Sequence, residues 1–134
     1  MRAYERLLKS VSVDTTSDPD SATVPSSMRQ YDLANILVDE LKALGLENVH
    51  VDENGVVYGW LSATAGCEQK PALGFIAHLD TAPDCSGENV KPQIIEHYDG
   101  GDVLLAGSGE TLSPTAFPGL KKLVGMTLIT TDGT

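Results

Sequence analysis

Apolar residues recur at helical spacing in two stretches of the chain. Residues 2–13 carry the first set, and the second begins after Ser27 and ends at Gly45, the glycine position that commonly closes a helix. Ser27 and Gln30 also match a capping box at the start of the second stretch. The pattern predicts two helices, whose apolar faces are formed by Tyr4, Leu7, Leu8 and Val11 and by Tyr31, Ala34, Leu37, Val38, Leu41 and Leu44.

Strand-like runs fill most of the rest of the chain. Residues 49–52 and 56–61 flank Asn54-Gly55, and Asn-Gly is the strongest short signal for a β-hairpin. Residues 93–98 and 102–105 flank Asp99-Gly100-Gly101 and predict a second hairpin. A short helix is expected around Leu120–Val124, after Pro114, and a last strand over residues 126–131.

Leu73–His78 is a continuous apolar run that ends in a histidine. Such a run is typical of a strand buried on both faces of a sheet. The order of elements then predicts an α/β fold with a mixed β-sheet flanked by helices. His78 and Asp80 are two apart, so on a strand they share a face, about 6–7 Å apart, at the edge of the sheet where ligands bind in α/β folds.

The chemistry of His78 and Asp80 admits two interpretations. Neutral imidazole is the commonest metal ligand, and a nearby carboxylate can fix its orientation. A single histidine, however, cannot hold a metal, so the spacing by itself favours a polar strand end. His50, His97 and Cys85 have no motif partner and are expected to be surface or loop residues.

Charge and composition narrow the class of protein. Nineteen acidic and nine basic residues give a net charge of −10, which argues against a nucleic-acid partner. No apolar run approaches the roughly 20 residues of a membrane span, and the first residues lack the pattern of a signal peptide. The two cysteines have no close-spaced partner. These features predict a reduced, cytoplasmic protein without a membrane partner.

Beyond these patterns, several motifs resemble peptidase T, a family of tripeptide aminopeptidases among the two-zinc exopeptidases related to carboxypeptidase G and aminoacylase. The short His-x-Asp-Thr motif belongs to the wider superfamily, and the segment from Asp84 to Asp102 points to peptidase T itself. The resemblance extends over nearly the whole chain through Ser12-Val13-Asp14-Thr15, Val24-Pro25-Ser26, Gly74 to Thr81, Pro83 to Gly87, Asn89-Val90, Tyr98, Gly100-Gly101-Asp102, Leu112-Ser113-Pro114, Phe117-Pro118 and Leu128 to Gly133.

The resemblance implies a zinc-exopeptidase-like catalytic domain with tripeptides as substrates and two zinc ions. It makes His78 a ligand of the first metal and Asp80 the catalytic carboxylate beside it. The bridging aspartate is expected just beyond Thr134, in a Gly-Ala-Asp-Asp segment, and the glutamate base and a lid or dimerisation domain further on. Residues 1–134 would then be the N-terminal part of the catalytic domain, with one of five protein ligands.

Two hypotheses from different classes follow. The first is a metallopeptidase fragment that is inactive alone and competent within a longer chain. The second is a stand-alone, non-catalytic module for binding or self-association. A reading frame that continues into Gly-Ala-Asp-Asp would favour the first.

Overall fold

The computed structural model describes residues 1–134 and contains two α-helices, one 3-10 helix and six short strands. The chain divides into one unit formed by residues 13–88 and another formed by residues 1–12 with 89–134. The elements are α1 (Ala3–Ser10), α2 (Gln30–Ala43), β1 (Glu47–Val51), β2 (Val57–Trp60), β3 (Pro92–Ile95), β4 (Val103–Leu104), β5 (Thr111–Leu112), the 3-10 helix Pro118–Leu123 and β6 (Leu128–Thr131).

In the unit of residues 13–88, α2 packs on the antiparallel hairpin of β1 and β2. Leu33 and Ala34 are the buried apolar residues of the helix. On β2, a Cβ placed on Gly59 would lie 2.9 Å from the side chain of Leu46, which is closer than such contacts occur. Glycine at this position therefore gives Leu46 room against the strand.

The two ends of α2 differ from each other in how well the sequence predicted them. Gly45 follows the helix with a φ of 85° and donates its N–H to the carbonyl of Lys42, as expected of a closing glycine. The capping box at Ser27 is wrong, because Arg29 occupies the cap position in a helical conformation and no side chain caps the helix. The Ser27 hydroxyl instead accepts a hydrogen bond from Nε of Arg29.

The predicted hairpin around Asn54-Gly55 is confirmed. Gly55 has a φ of 78°, and the carboxylate of Asp52 accepts hydrogen bonds from the N–H groups of Asn54 and Val56. This Asp-x-Asn-Gly turn is built from local contacts, which is why the sequence pattern was sufficient to predict it.

In the other unit the predicted second hairpin is wrong. β3 pairs with the distant β6, and β4 pairs with β5. The core consists of Tyr98, Val103 and Leu128, with Ile95, Leu112, Leu120 and Leu123 packed against it. Tyr98 connects the core to the surrounding turns, since its hydroxyl donates to the carbonyl of Gly101 and its N–H to that of Met126.

The predicted buried strand over Leu73–His78 is also wrong. The segment has no regular secondary structure, and the side chains of Phe75 and Ile76 are about fully exposed, at 90% and 101%. A strand buried on both faces needs paired strands at its edges to satisfy its N–H and C=O groups. Within residues 1–134 no strand pairs with it.

The α/β class is confirmed in its coarse form, as a small domain with a few helices and short sheets. In place of one mixed sheet there are three two-stranded antiparallel sheets. The single parallel contact is an isolated bridge between Thr16 and Thr81. Neither α-helix combines the length and the apolar content that crossing a membrane requires.

The exposure of Leu73, Phe75 and Ile76 gives a first prediction. Contiguous exposed apolar surface and unpaired backbone favour association. We expect the 134-residue chain to self-associate in a concentration-dependent way, measured by sedimentation velocity. The variant Phe75→Ser/Ile76→Ser should reduce the association, and a concentration-independent monomer of the unsubstituted chain would contradict the prediction.

Candidate functional site

His78 and Asp80 lie together at the end of the irregular segment 73–80. The ring atom Nδ1 of His78 is 2.7 Å from the backbone carbonyl of Asp80 and 3.1 Å from its carboxylate. A carbonyl oxygen only accepts, so in a neutral ring this contact places the hydrogen on Nδ1 and the lone pair on Nε2. The His78 side chain is 83% exposed, which leaves this lone pair accessible.

His78 differs from His50 in that its ring nitrogen also contacts a carboxylate, that of Asp80. Nδ1 of His50 also bonds a backbone carbonyl, that of Asn48 at 2.8 Å, but its ring stacks on Tyr58 at 5.2 Å. A ligating histidine commonly donates its second ring N–H to a carboxylate or a carbonyl, which orients the ring. His78 has both kinds of partner, and both belong to Asp80.

Thr81, the next residue, is fixed by backbone contacts to a segment far away in the sequence. Its N–H donates to the carbonyl of Thr15, at 3.2 Å, and its carbonyl accepts from the N–H and the hydroxyl of Ser17, each at 3.0 Å. Thr15 itself is buried. These bonds attach the end of the His78–Asp80 pair to the segment Asp14–Ser17.

The segment Asp14–Ser17 is in turn held by an Asp-x-Thr turn. The Asp14 carboxylate accepts from the N–H and the hydroxyl of Thr16, at 2.9 and 2.7 Å, and pairs with the guanidinium of Arg29. The hydrogen bonds from Thr16, and after them the charge of Arg29, hold the pKa of Asp14 below its ordinary value. Asp14 is therefore an anion at neutral pH.

The loop that follows Thr81 returns to the same turn. The N–H of Gly87 donates to the hydroxyl of Thr16, at 3.1 Å, and Glu88 lies 3.5 Å from Arg29. A Cβ on Gly87 would lie 2.6 Å from Oγ1 of Thr16 and 2.8 Å from Oδ1 of Asp14. The close approach explains why this position is occupied by glycine.

Residues 1–134 offer one candidate ligand for a metal site, the imidazole of His78. His78 offers an accessible, oriented Nε2, but no group of three or more His, Cys, Asp or Glu side chains in residues 1–134 could hold a metal ion. A catalytic zinc site needs about three protein ligands. A complete zinc site would therefore require donors from outside these residues.

A concave region lies in the unit that contains β3. It is an open cavity of about 330 Å³ that contains neither His78 nor Asp80. Its acidic side chains and His97 do not form a metal-binding group. The cavity is lined by Ile95, Glu96, His97, Tyr98, Asp99, Asp102, Val103 and Leu104.

The sequence pattern singled out His78 and Asp80, and the structure brings them together. It did not single out Thr16, Arg29 or Gly87 as parts of the site, although Asp14-Thr15 and Gly87 appeared among the family motifs. The Asp-x-Thr spacing, which occurs at Asp14–Thr16 and again at Asp132–Thr134, was an available signal, because such turns form local hydrogen bonds. The partnership with Arg29 and Gly87 is a tertiary contact that has no sequence signature.

Known proteins resemble the chain over nearly its whole length. It is 55% identical over 130 residues to peptidase T of Aliivibrio fischeri and 56% identical over 131 residues to peptidase T of Geobacillus thermodenitrificans, in both cases over 97% of the chain and 32% of the relative. Peptidase T of Caldanaerobacter subterraneus is 53% identical over 134 residues, 99% of the chain and 32% of the relative. No protein-family model matches the chain.

These relatives, all named peptidase T, confirm the resemblance that the motifs predicted. The chain spans about a third of the length of the curated relatives it matches.

The close contacts of Gly87 give a second prediction. Gly87→Ala should lower the free energy of unfolding by about 1–3 kcal/mol, because the added methyl group overlaps the Asp14 turn. Gly119→Ala is the matched control, since a Cβ there meets nothing within 4 Å and should change stability by less than about 0.5 kcal/mol. Urea unfolding midpoints measure both, and equal stability of the two variants would contradict the prediction.

Proposed function

We propose that the chain is the N-terminal part of the catalytic domain of a zinc aminopeptidase that releases the N-terminal residue of tripeptides. The observation that carries the proposal is the His78–Asp80 pair, in which the histidine presents an accessible Nε2 and is oriented by a carboxylate. Its relatives named peptidase T, at 50–56% identity, support the peptidase class. The absence of a nucleic-acid partner and a cytoplasmic location belong to the same proposal.

In this proposal the two residues have separate roles. His78 is a metal ligand through Nε2. Asp80 is the catalytic carboxylate beside it, and it keeps the proton of the imidazole on Nδ1 and the ring in one orientation. Zinc, when bound, supplies a Lewis acid for the scissile carbonyl and a water of lowered pKa.

The remaining parts of the proposed enzyme lie outside residues 1–134. They are the other metal ligands, a glutamate that acts as general base, and a lid or dimerisation domain. The zinc-exopeptidase-like fold of the complete catalytic domain belongs to the same proposal. The exposed apolar side chains of segment 73–78 support it, because they need covering surfaces.

A non-catalytic, self-associating module is the second candidate. The same exposed segment favours it, since apolar side chains at Leu73, Phe75 and Ile76 suit contact with another protein surface. The two candidates differ in what they require of His78 and Asp80. A binding module needs neither residue, whereas the peptidase needs both.

Substitutions in the full-length protein test the roles proposed for His78 and Asp80. His78→Ala should abolish turnover and lower the zinc content, because a metal ligand is lost. Asp80→Asn should cost roughly 10–100-fold in activity or metal affinity if Asp80 acts by orienting the histidine. A larger loss would indicate a more direct catalytic role for Asp80.

His50→Ala is the matched control for these variants, since His50 also donates from Nδ1 to a backbone carbonyl. It should leave zinc content and tripeptide turnover unchanged. Unchanged zinc content and turnover in Asp80→Asn would contradict the role given to Asp80, and the same result in His78→Ala would contradict the proposed function.

The 134-residue chain alone should neither bind two zinc ions nor hydrolyse tripeptides. It offers one oriented imidazole and no three-residue donor group, and the proposed general base lies outside it. Zinc titration by calorimetry and a tripeptide hydrolysis assay measure both properties. Micromolar binding of two equivalents, or turnover that a chelator abolishes, would contradict the prediction.

A further inference from the structure

The peptide group between Asp80 and Thr81 connects the Asp14 turn to His78. We propose that Asp14, Thr16 and Arg29 are positioning residues that set the tautomer of His78 through this peptide group. The catalytic meaning of the proposal rests on the proposed function, whereas the tautomer itself can be measured without metal or substrate.

The first step is the planarity of the peptide group. Its carbonyl, that of Asp80, accepts from Nδ1 of His78 at 2.7 Å, and its N–H, that of Thr81, donates to the carbonyl of Thr15 at 3.2 Å. The C=O and N–H of a trans peptide point in opposite directions in one plane. Holding the N–H on Thr15 therefore aims the carbonyl at the histidine ring.

The second step is the fixation of Thr15. This residue is buried, and its neighbours on both sides take part in the turn formed by the Asp14 carboxylate and Thr16. Arg29, at the start of α2, pairs with the same carboxylate and so connects the turn to a helix. Gly87 and Glu88 bring the far end of the 81–88 loop to the same place.

The third step is the effect on the ring. The carbonyl of Asp80 is nearer to Nδ1 than the carboxylate is, at 2.7 against 3.1 Å, and it can only accept a hydrogen. Free histidine prefers the hydrogen on Nε2, which would block that atom as a ligand. A fixed carbonyl therefore favours the tautomer whose Nε2 lone pair is available.

The test is the nitrogen spectrum of the histidine rings in the 15N-histidine-labelled chain, at a pH of about 8, where imidazole is neutral. The chain has three histidines, so His50→Gln and His97→Gln assign the signals. In the unsubstituted chain, we expect His78 mainly in the form protonated on Nδ1. Thr16→Val should shift it toward the form protonated on Nε2, and Thr16→Ser, which keeps the hydroxyl, should restore the original signal.

A matched pair of substitutions separates positioning from general loss of stability. Asp14→Ala and Asp52→Ala each remove an aspartate that holds a local turn in the same unit. We expect only Asp14→Ala to shift the His78 signal. Equal signals in the two variants, or a Thr16→Val signal identical to that of the unsubstituted chain, would overturn the proposal.

Two further measurements apply if Thr16→Val or Asp14→Ala does not fold. Arg29→Gln changes a half-exposed side chain, and it should produce a smaller shift in the same direction. Hydrogen–deuterium exchange followed by mass spectrometry applies to associated chains as well. Faster exchange of residues 81–88 in Arg29→Gln than in Asp52→Ala is expected, and equal exchange would overturn the proposal.

The shift of the His78 signal and the activity of the full-length His78→Ala variant test the positioning and the proposed function separately. If the shift occurs but His78→Ala in the full-length protein keeps its zinc and turnover, the positioning is correct and the proposed function is wrong. If the shift is absent and His78→Ala is inactive, the proposed function is supported and His78 is oriented by Asp80 alone.

Discussion

The backbone pairing of Thr81 with Thr15 and Ser17 is the interaction on which the segment around His78 depends. It joins residues 64 to 66 positions apart in the sequence, and it is the sole parallel bridge of the chain. Residues 61–80, before it, contain no strand or helix. The pairing therefore defines where this irregular segment meets folded structure, and it does so directly after the candidate ligand and its carboxylate.

The Asp-x-Thr turn that supports this pairing occurs a second time. Asp132 accepts hydrogen bonds from the N–H and the hydroxyl of Thr134, and these bonds lower its pKa before any contribution from Lys91. In both turns a buried or half-buried carboxylate is satisfied by donors two residues away. In a chain with a net charge of −10, the local donors contribute most to stabilising these two anions, and the cations Arg29 and Lys91 add to them.

How well the sequence predicted each element depended on how far apart in the sequence its interacting residues lie. The body of α2, Gly45 and the hairpin at Gly55 depend on residues within a few positions, and all were predicted. The pairing of β3 with β6 depends on residues more than 30 positions apart, and the local Asp99-Gly100-Gly101 signal indicated the wrong partner. The segment 73–78 has the composition of a buried strand, but burial requires neighbours that no local pattern supplies.

The candidate site combines both kinds of determinant. The contact between Nδ1 of His78 and Asp80 spans only two residues, so the sequence was sufficient to predict that the two side chains are neighbours. The direction of the Asp80 carbonyl is different, since it follows from the bond between Thr81 and Thr15 and thus from the Asp14 turn. A motif can therefore supply a candidate ligand and its neighbouring carboxylate, whereas a distant part of the chain holds the peptide group beside them.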